Sequence, residues 1–165
     1  SPGPNIDRQF TNRLVFSGGV STLEAHLGDT LINAVTDERS VRSNLIKNNE
    51  ELGGVKVIAA EIAADPDILS KKIIRELQDV LYHNLSVVIT LYRDAFGLHL
   101  SPDKERRDWL FNAMERRHHC VHRNGRDKNG EKLTDFTDDY VHEVIEAINW
   151  IVDHVEQERA KDLTF

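Results

Sequence analysis

The chain has 165 residues, 39% hydrophobic and 30% charged, with a formal net charge of −7. That length supports a core of ordinary domain size, and the acidic balance argues against a general coat for polyanions. No apolar run approaches the roughly eighteen residues of a membrane span, nothing reads as a secretory leader, and the single cysteine, Cys120, cannot close an internal disulfide.

The opening SPGPNID has no initiator methionine. Residues 1–10 are therefore read as a linker or tag remnant, 11–165 as one domain, and the chain as an excerpt of a longer protein or a tagged one. From Val20, the positions Leu23, Leu27, Leu31 and Val35 recur in steps of three and four, which predicts an amphipathic helix. A weaker helical segment lies around Val41 to Ile46, and NNEELGG (48–54) breaks it. Val55 to Ala63 reads as a short helix ended by Asp65-Pro66. Ile73, Leu77, Val80, Leu81, Val88, Leu91, Tyr92 and Ala95 mark one long helix closed by Gly97. Ser101 as N-cap and Pro102 at the first helical position open a helix through Leu110, Met114 and Val121. RNGRDKNGEKLTD is turn and loop chemistry with room for a small hairpin. Thr137, followed by Asp138 and Asp139, starts the last helix, with Val141, Val144, Ile145, Ile148, Ile151, Val152 and Val155 on one face. The expected fold is all-α, a bundle of about five helices.

Charge is uneven along this chain. Residues 104–132 hold nine Lys/Arg against five Asp/Glu, a local excess of four positive charges on an acidic protein. Such a segment is either a local anion site or the solvated end of a helix. On the helix wheel, Arg117 falls on the stripe of Leu110, Met114 and Val121, where a core residue belongs. An inward arginine needs an ion-pair partner, for which Glu24 is a candidate, or a wet cleft in which to bind an anion. His122 follows five residues later, about 140° round an ideal helix, within reach of a long side chain. His118 and His122 share a face. Asn84 interrupts the stripe between Leu77–Leu81 and Val88, and a buried Asn there would need partners, bracing the arginine or the helix end.

Three chemistries compete for the cluster RRHHCVH, 116–122. Zinc could take His118 and His122 at i, i+4 with Cys120 or His119 nearby, but Cys120 points to another face and no HExxH glutamate is present. His83 and His142 would complete such a site only through tertiary placement. A Cys120–His122 nucleophile pair diverges on the helix. Phosphate-loop and dinucleotide fingerprints are absent. Metal-free phosphodiester cleavage remains: His122 can exchange a proton near neutral pH, and Arg117 offers a fixed cationic fork for phosphate oxygens. Attack by an RNA 2′-hydroxyl would leave a 2′,3′-cyclic phosphate and a 5′-hydroxyl. One histidine supplies one of the two proton transfers; a two-fold dimer would supply both.

Arg117 to His122, R-H-H-C-V-H, resembles the R-x4-6-H motif of the HEPN superfamily, with a polar residue straight after the arginine. Together with R-N-G-R-D-K-N-G-E, Y-H-N at 82–84 and L-E-A-H-L-G-D at 23–29, it is similar to a bacterial, ribonuclease-like HEPN branch, from about Leu14 to His154. The resemblance implies an all-α bundle that commonly dimerises with the motif at the interface, and metal- and cofactor-independent endoribonuclease activity in toxin–antitoxin, abortive-infection or antiviral systems; the lone cysteine fits the reducing conditions of a cytoplasmic protein. It places Arg117 and His122 at the motif positions, His118 at the polar position and, by a looser alignment, Glu24 at the acidic position of the first long helix. Arg123 and Asn124 are expected near the RNA, with no metal bound and an antitoxin or further domain as partner. The superfamily also includes members that have lost cleavage and serve as RNA-binding or protein-interaction modules.

Overall fold

The computed structural model describes residues 4–80 and 82–162, with side chains described from residue 8 onward. The fold is all-α, as expected. Among the described residues there are eight helices rather than about five: α1 (Pro4–Asp37), α2 (Arg39–Asn48), α3 (Glu50–Gly53), α4 (Ala59–Ala64), α5 (Ile68–Gln78), α6 (Leu85–Phe96), α7 (Lys104–His122) and α8 (Asp138–Asp162). Part of the excess comes from the four-residue α3, which lies inside the NNEELGG stretch read as a break, while α4 takes the place of the short helix expected over 55–63. The rest comes from a break in the expected long helix, which ends at Gln78 and resumes at Leu85. Leu81 lies outside the described residues. None of these helices is long and apolar enough to cross a membrane. Helix α1 begins at Pro4, within the segment read as linker, and the chain divides into two compact units by its internal contacts.

The first unit comprises the chain up to Glu24 and residues 101–157. The 4–24 part of α1 lays Phe16, Val20 and Leu23 into a core with Leu110, Ala113 and Met114 of α7 and Val141, Val144, Ile148, Ile151 and Val155 of α8. Residues spaced three and four apart share a helical face, so each stripe is continuous. Helices α1 and α8 approach closely at Gly19, where a Cβ would stand 2.9 Å from Ile145 Cδ1. The ring of Phe16 lies 5.1 Å from that of Phe136 and 5.9 Å from that of Tyr140, an aromatic cluster closing the unit where α8 begins. Thr137 caps α8 as expected, its Oγ1 accepting the Tyr140 N–H at 3.1 Å. Helix α7 starts later than Ser101-Pro102 would place it: Asp103 is the N-cap and accepts from the Glu105 N–H at 3.0 Å, while Ser101 is buried upstream. The stripe also ends early, since Val121 is 50% exposed.

The second unit comprises residues 25–100 and the chain from Glu158. Leu27, Leu31 and Val35 of α1 are buried with Val41 and Leu45 of α2, Ile73 and Leu77 of α5, and Leu85, Val88, Leu91 and Tyr92 of α6. Tyr92 donates its hydroxyl hydrogen bond to the Leu27 carbonyl at 2.7 Å, giving a buried polar atom a partner. Asn49 caps α3 by accepting the Leu52 N–H and donates to the buried Asp94 carboxylate at 3.0 Å. Helix α6 ends in a left-handed Gly97, φ 65°, the backbone state that glycine adopts most readily. Asn84 corrects a sequence expectation: it is the exposed residue preceding α6, with no side-chain cap bond, and not a buried member of a stripe.

Candidate functional site at the C-terminal end of α7

The last two turns of α7 carry the histidines and arginines of the motif. Arg117 turns inward as the wheel requires, its side chain only 18% exposed. Its Nη2 lies 3.6 Å from Glu24 Oε2 and 3.3 Å from Ser21 Oγ, both on α1. Ser21 and Glu24 are three residues apart, so they present one face to the guanidinium. The expected Arg117–Glu24 pair is therefore present. It is loose: Arg117 Nε and Glu24 Oε1 are both enclosed without a hydrogen-bond partner among the described residues. Enclosed donors and acceptors of charged groups are costly to leave unmet.

His118 and His122 do meet, with ring centroids 4.7 Å apart. Both residues are exposed, on the solvent side of the same helix end that turns Arg117 inward. The His119 ring lies 6.2 Å from that of His118. Among the described residues no group of three or more His, Cys, Asp or Glu is placed to hold a metal ion. Cys120 is half-buried, and burial pushes its thiol above the usual range despite a hydrogen bond with Ser17, which leaves little thiolate for nucleophilic work.

Beyond His122 the chain reverses tightly. Asn124 and Gly125 both adopt left-handed backbone, φ 52° and 76°, and the Gly125 N–H donates to the His119 carbonyl at 3.2 Å. Asn tolerates this region better than most residues and glycine occupies it freely. The expected small hairpin is realised as one antiparallel bridge between Arg126 and Lys132. Asp127 organises its tip, its Oδ1 accepting the N–H groups of Asn129 and Glu131. Arg123 and Asn124 are exposed at the start of this loop.

Several residues of this region carried no sequence signal as site members. Arg116, next to Arg117, makes a two-point ion pair with Asp135 and stacks over Phe136 and Tyr140, each 4.5 Å from its guanidinium carbon. Arg13 of α1 lies against Gly125, where a Cβ would stand 3.1 Å from its Nε. Ser21 is the third. Of the residues singled out from sequence, Arg117, Glu24, His118, His122, Arg123 and Asn124 all belong to the first unit, and Asn84 belongs to the second. Comparison of the chain with protein-family models, curated proteins and solved structures finds no match.

Proposed function

We propose that the first unit is a HEPN-type, metal-independent endoribonuclease site, with Arg117 binding the scissile phosphate and His122 exchanging the proton. The observation that carries this reading is the state of Arg117, oriented by Ser21 and Glu24 with its Nε unmet, at a helix end that also presents the His118–His122 ring pair. A phosphate oxygen drawn to this guanidinium would meet a cation already held in place when charge develops on phosphorus in the transition state. In the reaction the RNA 2′-oxygen bonds to phosphorus and gives its proton to a base. The bond from phosphorus to the 5′-oxygen breaks, and that oxygen takes a proton from an acid. His122 serves as one of these two groups, His118 assists it, and the second comes from the same helix end of a dimer partner. The exposed Phe10 and Leu14 of α1, one helical step apart at 55% and 58% exposure, offer an apolar face for that partner. Arg123 and Asn124 flank the RNA, and an enzyme of this kind works in the cytoplasm within a toxin or antiviral system under an antitoxin or companion domain.

The test is incubation with single-stranded and structured RNA in excess chelator, with end-group analysis of the products. Cleavage yielding 2′,3′-cyclic phosphate ends and lost in His122→Ala and Arg117→Ala supports the enzyme. A second reading, a non-catalytic module that dimerises or binds RNA for a larger protein, is favoured by the Glu24 contact, which already gives Arg117 a structural partner. A folded dimer that leaves every RNA intact would decide for that module.

A further inference from the structure

A cavity of about 450 Å³ lies in the first unit, lined by Arg8, Gln9, Asn12 and Arg13 of α1 and by Lys132 and Phe136 of the segment leading to α8, among others. Its polar wall is largely assembled before any ligand arrives. Gln9 accepts the Phe136 N–H at 3.2 Å through its side-chain oxygen, which leaves its amide N–H groups to donate. Asn12 donates to the Phe136 carbonyl at 2.8 Å and to Asp138 Oδ1 at 2.9 Å, leaving its oxygen to accept. Arg8 is matched to the Asp138 carboxylate, so the acid of this wall is neutralised. Two cations are left over. Lys132 is exposed at the rim, and Arg13 has its Nη1 enclosed without a hydrogen-bond partner among the described residues. Arg13 also lies against Gly125, whose N–H is tied to the His119 carbonyl, so one lining residue touches the loop that follows α7.

We infer that this cavity is a phosphate subsite for single-stranded RNA, taking a phosphodiester flanking the cleaved one on Arg13 and Lys132, with the Gln9 and Asn12 amides facing the attached nucleoside. The inference rests on the ribonuclease reading for its RNA. Two lining cations with no acid partner among the described residues favour an anion, and the amides supply the donor and acceptor pairs that a nucleoside can use. The volume lies within the range of small-molecule sites and suits one nucleotide, not a duplex.

The test measures binding apart from cleavage. A fluorescent, fully 2′-O-methylated ten-nucleotide single strand lacks the attacking hydroxyl and stays intact, so anisotropy reads affinity alone. Lys132→Gln is expected to weaken binding several-fold and Arg13→Gln by about tenfold. Each should lower the slope of log affinity against log salt by about 0.7, the signature of one lost phosphate contact on a single strand. Arg13→Lys keeps the charge and should retain most of the affinity, guarding against a folding defect. Lys47→Gln, exposed on α2 of the other unit, should leave binding unchanged. Unchanged affinity and salt slope in both Gln variants would overturn the subsite, as would competition by adenosine monophosphate or inorganic phosphate as strong as that by unlabelled strand, which would mark a small-anion site. Binding lost in these variants from a protein that cleaves no RNA would keep the subsite and sink the nuclease; cleavage requiring His122 with no effect of either Gln variant on binding would do the reverse.

Discussion

The guanidinium of Arg116 holds both oxygens of the Asp135 carboxylate, Nη1 2.8 Å from Oδ2 and Nη2 2.7 Å from Oδ1. The same guanidinium lies over the rings of Phe136 and Tyr140 at 4.5 Å, so one side chain joins α7 to the segment that opens α8. Cation–π contacts contribute about 0.5–1 kcal/mol each at exposed sites and more when desolvated, whereas an ion pair to an exposed carboxylate adds little. Arg116→Ala is therefore expected to destabilise the protein by about 1–3 kcal/mol, mostly through lost stacking. The Arg116 hydrogen bond holds the Asp135 carboxyl below its ordinary range. Because the folded value is the lower one, its stabilisation is present above the unfolded value and lost as pH falls through the folded one. The destabilisation caused by Asp135→Asn should accordingly shrink between pH 7 and pH 3, read as a converging difference in melting temperature.

Glu24 tests how Arg117 is held. Both side chains are mostly enclosed, 18% and 13% exposed, and removing the carboxylate leaves Ser21 as the remaining polar partner of the arginine among the described residues. Glu24→Ala is expected to cost about 1–3 kcal/mol in denaturant unfolding, with Glu24→Gln costing less because the amide oxygen can still accept. If cleavage is present, Arg117→Lys should retain less than about a tenth of it, since a point charge does not replace a two-donor fork. Wild-type cleavage by Arg117→Lys would remove the arginine from the chemistry.

In the second unit, Tyr92 provides a clean probe of one buried hydrogen bond. Its ring is fully enclosed and its hydroxyl meets the Leu27 carbonyl of α1, while burial pushes its ionisation far above the normal range. Tyr92→Phe keeps the packing and removes the donor, leaving the carbonyl with its helical bond alone. A loss of about 1–2 kcal/mol is expected by thermal or urea unfolding, and no loss would show that the hydroxyl bond adds nothing net.

The dimer proposed for catalysis can be broken at Leu14, whose exposure means that a polar substitution carries little folding cost in a monomer. Light scattering should show a two-fold mass for the wild type and a single-chain mass for Leu14→Asp, with cleavage falling in parallel. A wild type that stays monomeric at tens of micromolar would separate the site from any shared cleft.

The regular helices were legible because their apolar residues follow the helical period: every one of Leu23, Leu27, Leu31 and Val35 is buried, as are Val141, Val144, Ile148, Ile151 and Val155. The interruption between α5 and α6 was hidden by the same rule. Ile73 and Leu77 before it and Val88 and Leu91 after it all bury, so the spacing runs on through a segment containing neither glycine nor proline. What occupies the break is tertiary: the Tyr82 ring packs against Gly28, where a Cβ would stand 3.2 Å away. At the site, the inward direction of Arg117 followed from its wheel position, and Glu24 could be named as a candidate partner. Ser21 and Arg13 could not, because both act across more than ninety residues of chain and neither stands out in composition.

Both tryptophans, Trp109 and Trp150, fall in the first unit. Trp150 is covered by the Arg106 guanidinium at 3.9 Å and stacked on the His154 ring at 4.9 Å and 12°. Indole emission is thus a private reporter of the unit that carries the motif, blind to melting of the other, whereas backbone ellipticity sums both. Superimposable denaturation curves from the two signals would make the chain one cooperative system; separated curves would give each unit its own transition, with the fluorescence midpoint belonging to the half where Arg117 and His122 reside.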